Sequence, residues 1–260
     1  MINSLWISKT GMEAQQTQLD VIAHNLANVS TTGYKRASAV FEDLMYQNLR
    51  QVGSSTSEQS QLPTGLHLGL GVRTVATSRN FAQGTVQQTT NNLDVAIQGS
   101  GFFQITMPDG TTNYTRDGAF QVDSQGRLVT ANGLPVANGV TIPANAKNIT
   151  IAANGAVTAS IPGNTAPQSI GTIALASFIN PAGLEPQGQN LFAESVASGQ
   201  PNTGTPGANG LGSLTQGYLE TSNVNVVQEL ILMIQTQRAY EMNSKAVQTA
   251  DQMLARLGQL

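Results

Sequence analysis

The chain has 260 residues, enough for two or three small domains, yet charged residues make up only 10% of it and its net charge is -3. No Lys or Arg occurs between Lys147 and Arg238, so the clustered cations that nucleic acid or an anionic membrane surface would require are missing, and no nucleic-acid partner is expected. Cysteine is absent, which excludes disulfides, thiolate metal sites and thiol nucleophiles together.

Residues 3 to 30 read as one long amphipathic helix. Leu5, Met12, Leu19 and Leu26 recur every seven residues, and Ile22 and Val29 fill the second seam position in the later turns. That spacing keeps a narrow apolar stripe facing a partner helix, as in a coiled coil. Ser8 and Gln15 interrupt the stripe, and Gly11 weakens the helix that carries it. No basic patch followed by an apolar run precedes the helix, so a cleaved secretory signal is not expected from the pattern. The run Asn28-Val29-Ser30-Thr31-Thr32-Gly33 supplies residues that prefer caps and turns, and should end the helix.

Beyond Tyr34, Lys35 and Arg36 lies a segment through Phe41 and Met45 that patterns equally as helix or strand. After Val52 the chain to Gln61 is Ser, Thr, Gln and Gly with one charge, Glu58, and residues 52 to 61 read as an extended or loop segment. Leu66, Leu68 and Leu70 then alternate with other residues, the period of a strand or hairpin. From about residue 93 to 200 the pattern is all β, with short apolar runs such as Phe102-Phe103-Gln104-Ile105. Asp109-Gly110, Asp117-Gly118, Asn132-Gly133, Asn138-Gly139 and Asn154-Gly155 mark hairpin turns. A Gly, Pro and Asn-rich connection, 198 to 212, leads to a second long helix, 222 to 260, with Ser222 and Asn223 as capping residues and Glu229 near its positive end. There Val226, Met233, Tyr240, Val247 and Leu254 are spaced by seven, with Ala250 and Leu257 beside them.

The expected fold is therefore α+β: long N- and C-terminal helices paired as a coiled coil, extended connecting arms, and a central all-β domain. The boundaries fall at 1–35 with 222–260 for the helical part, 36–92 with 201–221 for the arms, and 93–200 for the β domain. Because one helix pair buries too little to offset the entropy of ordering both ends, the termini are expected to fold as copies assemble.

Candidate chemistry is sparse. His24 and His67 are the only histidines, and Asp109, Asp117 and Asp123 each stand where Asp caps its own turn. Gly99-Ser100-Gly101 lacks the third glycine of a dinucleotide loop and is flanked by strands, so its glycines are assigned to a bulge or close approach. No nucleophile-elbow pattern is present. No catalytic residue, metal or cofactor is expected. On the second helix Arg238, Lys245, Gln252 and Gln259 fall seven apart, and Gln228 and Gln235 begin another polar row. These rows suit either a solvated face or the lining of a tube.

Three separated motifs resemble bacterial flagellar rod and hook proteins. At the N-terminus stand Asn25, Leu26, Ala27 and Asn28, then Gly33, Tyr34 and Lys35. At the C-terminus stand Leu219-Glu220, then Ser222, Asn223 and Val224, and Gln237, Arg238, Ala239 and Tyr240. Between them lie Asp94-Val95-Ala96-Ile97 and Tyr114-Thr115-Arg116-Asp117-Gly118. The chain length and residues 46 to 63 look most like the distal-rod branch of that family. The resemblance implies a structural, non-enzymatic subunit that polymerises helically into a drive shaft across the periplasm, exported by the flagellar type III apparatus without a cleaved signal. It implies as partners further copies, proximal rod and hook proteins, and the peptidoglycan-layer and outer-membrane rings. The competing class by composition, a secreted β-rich adhesin, needs a cleavable signal or anchor, and neither is visible.

Overall fold

A computed structural model of the chain describes residues 2–52, 55–57, 60–61, 64–162 and 166–257. Contacts divide it into two compact units: the first comprises Met1–Leu26, Ala37–Ser78 and Asn225–Leu260, the second Ala27–Arg36 and Arg79–Val224. The α+β class holds, with a helix at each end and strands between.

The first unit is built from α1 (Ile2–Ala27), strands β1 (Ala37–Asp43), β2 (Tyr46–Arg50), β3 (Ser55–Ser57), β4 (Ser60–Gln61), β5 (Leu66–Gly69) and β6 (Val72–Arg79), and the long helix α2 (Val226–Leu257). The undecided segment after Arg36 is strand: β1 pairs with β6, and β2 continues outward antiparallel to β5, with the short β3 and β4 pairing beyond. The arm is thus a ladder of hairpin strands, as the alternation of Leu66 and Leu68 indicated. α2 starts later than Ser222-Asn223 suggested. Its cap is Asn225, whose Oδ1 accepts the backbone N–H groups of Val227 (3.0 Å) and Gln228 (3.3 Å), satisfying two of the helix's free donors.

The two helices run antiparallel. Asn25 near the end of α1 meets Glu229 near the start of α2 (Nδ2 to Oε2, 3.4 Å), while Gln15 meets Asn243 much farther along α2 (3.2 Å). Ile22 is the only apolar side chain larger than alanine that is buried in this unit among the described residues; Ala14, Ala37 and Ala250 are the others. Among the described residues no helix is long and apolar enough to cross a membrane.

The second unit holds the core. Its strands are β7 (Val86–Gln88), β8 (Val95–Gln98), β9 (Phe102–Thr106), β10 (Thr112–Thr115), β11 (Phe120–Val122), β12 (Leu128–Thr130), β13 (Asn148–Ile151), β14 (Ala156–Ser160) and β15 (Gln168–Thr172). β16 (Leu175–Ser177), β17 (Glu185–Gly188), β18 (Leu191–Ala193), β19 (Asn202–Gly204), β20 (Ser213–Gln216) and β21 (Tyr218–Glu220) complete it. A six-stranded antiparallel sheet runs in the order β17-β18-β10-β9-β16-β19. Side chains on a strand alternate between faces, so the consecutive Phe102 and Phe103 serve two different clusters. Phe103 and Ile105 join Val95, Ile97, Phe120 and Leu175 on one side. Phe102 joins Tyr114, Phe178 and Phe192 on the other, in edge-to-face ring contacts such as Tyr114 on Phe178 at 4.7 Å.

Asp109-Gly110 and Asn154-Gly155 close the β9–β10 and β13–β14 hairpins as expected, with both glycines at φ near +84°. Asp117-Gly118 does not. Gly118 has no left-handed φ; a Cβ there would lie 1.7 Å from the Val95 carbonyl oxygen, so the glycine is needed for two backbones to pass, and the chain continues into β11 instead of folding back.

Candidate functional site

The segment that leaves α1 and the segment that leads into α2 meet in the second unit in a buried joint. After α1 the backbone turns through Asn28 to Thr31 (3.1 Å) and Gly33, whose N–H donates to the Glu220 carbonyl oxygen at 2.8 Å. Gly33 sits at φ +67°, and a Cβ would lie 2.6 Å from the Asp117 nitrogen; only glycine fits both the turn and the approach. Tyr34 and Lys35 follow, both buried.

Lys35 is the largest fully buried side chain among the described residues. Its ammonium donates to Glu220 Oε1 at 2.5 Å and to the Ala82 carbonyl at 2.8 Å. Glu220 Oε1 also accepts the Gly84 N–H at 2.8 Å. The second oxygen, Oε2, faces Arg116 Nη1 across 3.7 Å, too far for a hydrogen bond, and both atoms are otherwise unpaired. Arg116 is itself held by donation from Nη2 to the Gly99 carbonyl at 2.6 Å and lies over the Phe102 ring. One carboxylate therefore serves two cations out of water. Burial pushes the Lys35 ammonium below its ordinary value of 10.5, against the pull of Glu220, and lowers Arg116 as well.

Asn223 ties the same region together. Its Oδ1 accepts the Arg36 N–H at 2.7 Å and its Nδ2 donates to the carbonyls of Asn80 (2.8 Å) and Ala82 (3.0 Å). Ser222 Oγ accepts the Val224 N–H at 3.3 Å. Asp117 caps its own turn through Ala119 and takes the Thr32 hydroxyl at 2.9 Å; burial raises its carboxyl above 3.8. Gly33, Tyr34, Ser222, Asn223 and Val224, singled out from the sequence, thus come together in one place, with Ala27 and Asn28 at the entry to that segment. Lys35, Arg116 and Glu220 complete the cluster. All three stand within the motifs quoted from the sequence, which carry no sign that they share one buried site.

In the first unit Asn25 makes the corresponding clamp. It is fully buried, its Nδ2 donates to the Ala37 carbonyl at 2.8 Å, and its Oδ1 accepts the Ala37 N–H at 2.9 Å. A side-chain amide here pairs with a backbone amide on both sides, closing the chain at the first residue of β1.

The seam residues are placed as follows. Ile22 is buried; Leu5, Met12, Leu19, Leu26, Met233 and Val247 are half-buried within the first unit, and Val29 within the second. Val226, Tyr240 and Leu254 are exposed, and the side chain of Leu257 lies outside the described residues. Among the polar rows Gln228, Gln235, Arg238, Lys245 and Gln252 are exposed, and so is Gln237; Ala239 is half-buried; Gln259 lies outside the described residues. Every exposed large apolar side chain among the described residues belongs to the first unit except Val122, Ile179 and Val196.

Three family models match. "Flagella basal body rod protein" covers residues 6–35, "Flagellar hook protein FlgE/F/G D1 domain" covers 96–159, and "Flagellar basal body rod FlgEFG protein C-terminal" covers 215–260. The chain is 56% identical over its whole length, and that of the relative, to the flagellar basal-body rod protein FlgG of Buchnera aphidicola from Schizaphis graminum, and 55% identical, again over both whole lengths, to that from Acyrthosiphon pisum. It is 47% identical to the FlgG of Borreliella burgdorferi over 98% of this chain and 97% of that one.

Proposed function

The chain belongs to the flagellar basal-body rod protein family, and from that premise we propose that it polymerises helically into the distal rod, transmitting torque from motor to hook. The observation that carries this reading is the contrast between the two units. Among the described residues the second leaves only Val122, Ile179 and Val196 of its large apolar side chains exposed; the first exposes Trp6, Phe41, Tyr46, Leu49, Val227, Leu230, Ile231 and Ile234, among others, and buries a single one larger than alanine. Apolar surface on this scale marks an interaction site. Neighbouring copies cover it, and a head-to-tail contact that does not close into a ring builds a filament.

In the assembled rod the seam residues of α1 and α2 pack as a coiled coil, the helices form the inner tube, and Gln228, Gln235, Arg238, Lys245, Gln252 and Gln259 face its channel. Proximal rod protein and hook protein bind at the two ends. The second unit turns inside the peptidoglycan-layer and outer-membrane rings, and the chain reaches the periplasm through the type III export apparatus without a cleaved signal. The family resemblance and the neutral outer composition support these assignments. The same signature makes a hook or proximal-rod subunit the second reading, which residues 46 to 63 disfavour.

The test is assembly of a Leu19→Ala, Leu26→Ala variant followed by sedimentation and electron microscopy. Polymer should be lost while thermal unfolding of the second unit stays unchanged. Normal polymers from this variant would sink the proposal.

A further inference from the structure

A row of polar and small residues spaced by seven runs along each terminal helix: Ser4, Gly11, Gln18 and Asn25 on α1, and Glu229, Thr236, Asn243 and Ala250 on α2. The two helices touch along these rows. Asn25 and Glu229, both fully buried, meet at one end through Nδ2 and Oε2 at 3.4 Å. Two heptads away on both helices, Asn243 sits over Gly11, where a Cβ would lie 2.9 Å from its Nδ2, and donates to Gln15 Oε1 at 3.2 Å. Between the two contacts, Gln18 and Thr236 line one groove with Ala14 and Ala239. The large apolar residues Trp6 and Ile7 of α1, and Val227, Leu230, Ile231 and Ile234 of α2, lie off these rows and are exposed.

Apolar side chains repeated every seven residues pack nearly as well one heptad along, because apolar burial has no direction. Buried polar groups do not, since losing a partner leaves them out of water without a hydrogen bond. A slip of one heptad parts the Glu229 carboxylate from the Asn25 amide. It also carries Asn243 off Gly11, the one member of its row without a side chain, and onto Ser4 or Gln18. Asn25 cannot follow, because its amide is committed to the N–H and carbonyl of Ala37 at 2.9 and 2.8 Å. Ala14, Ile22 and Ala250, the buried apolar side chains of the two helices among the described residues, impose no such condition. We infer that Asn25 with Glu229 and Gly11 with Asn243 form a register lock. They are positioning residues that fix how far α1 is slid along α2, and with it the offset at which the exposed apolar faces of the two helices are offered to neighbouring copies. This rests on the rod reading above. In a filament every copy repeats one contact, so a helix pair free to slip offers a mixture of surfaces and the contact does not propagate.

The chain contains no cysteine, so Gln18→Cys with Thr236→Cys reports the register when treated with a short bifunctional thiol reagent. One heptad is about 10.5 Å along a helix, and a slip of that size takes the pair out of reach. With the lock intact the pair should cross-link in the polymer; polymer without the cross-link overturns the register. Glu229→Leu with Asn243→Ala removes the lock and leaves Asn25 on Ala37. The critical concentration for polymerisation should then rise about tenfold or more, while Glu229→Gln, which keeps a carbonyl oxygen for Asn25, should polymerise as the natural chain does. An unchanged critical concentration in the unlocked chain overturns the inference. Unlocked chains cross-linked at positions 18 and 236 as concentrated monomer, then purified, should regain polymerisation, because the tether restores the register. Tethered chains that stay inert overturn the inference, since the substitutions would then act elsewhere. Failure of the chain with its lock intact to polymerise, with its pair cross-linked, strikes the rod reading and leaves the lock standing.

Discussion

At Glu220 a single carboxylate answers for the Lys35 ammonium and the Arg116 guanidinium, while its backbone oxygen holds Gly33. Removing it strands two buried cations, whereas removing one cation leaves the carboxylate still paired. Glu220→Gln should therefore cost about 3–5 kcal/mol in urea unfolding, and adding Lys35→Met should recover part of that loss. A double variant no better than the single one would show that the ammonium is not the source of the cost. Lys35 also has a pH signature. Its folded value lies below 10.5 because of burial, so between the two values the unfolded chain binds more protons, and stability rises with pH through that window. The difference in stability between the natural chain and Lys35→Met should show that rise on the alkaline side. A flat difference would mean the ammonium keeps its ordinary value.

Among the elements, the hairpin arm is the one most separable from the rest. Leu44 donates to the Gly71 carbonyl at 2.8 Å and Leu70 to the Met45 carbonyl at 3.2 Å, so the ends of residues 46–69 lie side by side and the arm can be excised without stretching β1 or β6. Its strands β2 and β5 expose Tyr46, Leu49, Leu66 and Leu68, more apolar surface than an isolated two-stranded ribbon can hold in water. A chain lacking residues 46–69 should keep the thermal unfolding of the second unit and form polymers that bend, seen by electron microscopy. Straight polymers from the deletion would show that the arm does not stiffen the polymer.

Taken whole, the molecule joins a unit with two aromatic and aliphatic clusters to one with almost no core of its own. Dilute monomer exposed to limited proteolysis should lose residues of α1 and α2 first and leave a resistant fragment within Arg79–Val224, identified by mass spectrometry. Protection of both helices in a monodisperse monomer would mean that they satisfy each other within one chain, and that the polymer is built from other surfaces.

Local chemistry was legible in the sequence. Period-seven and period-two patterns found both helices, the arm strands and the β-rich middle, because burial on one face needs only that repeat. Asn-Gly and Asp-Gly found turns wherever a left-handed residue was the requirement, and the same rule failed at Gly118, whose glycine answers to the Val95 backbone far away in sequence. The terminal motifs, too, could be named from the residues. Only the tertiary structure decided that Lys35, Arg116 and Glu220 share one buried site, that Asn25 pairs with the backbone of Ala37, and that α1 meets α2 through Gly11, Gln15 and Asn25. A repeat says that a face is apolar; it does not say which neighbour covers it, because apolar burial is not directional. Buried charges and amides are the reverse. They must find specific partners at fixed distances, and those partners came from segments that only the fold brings together.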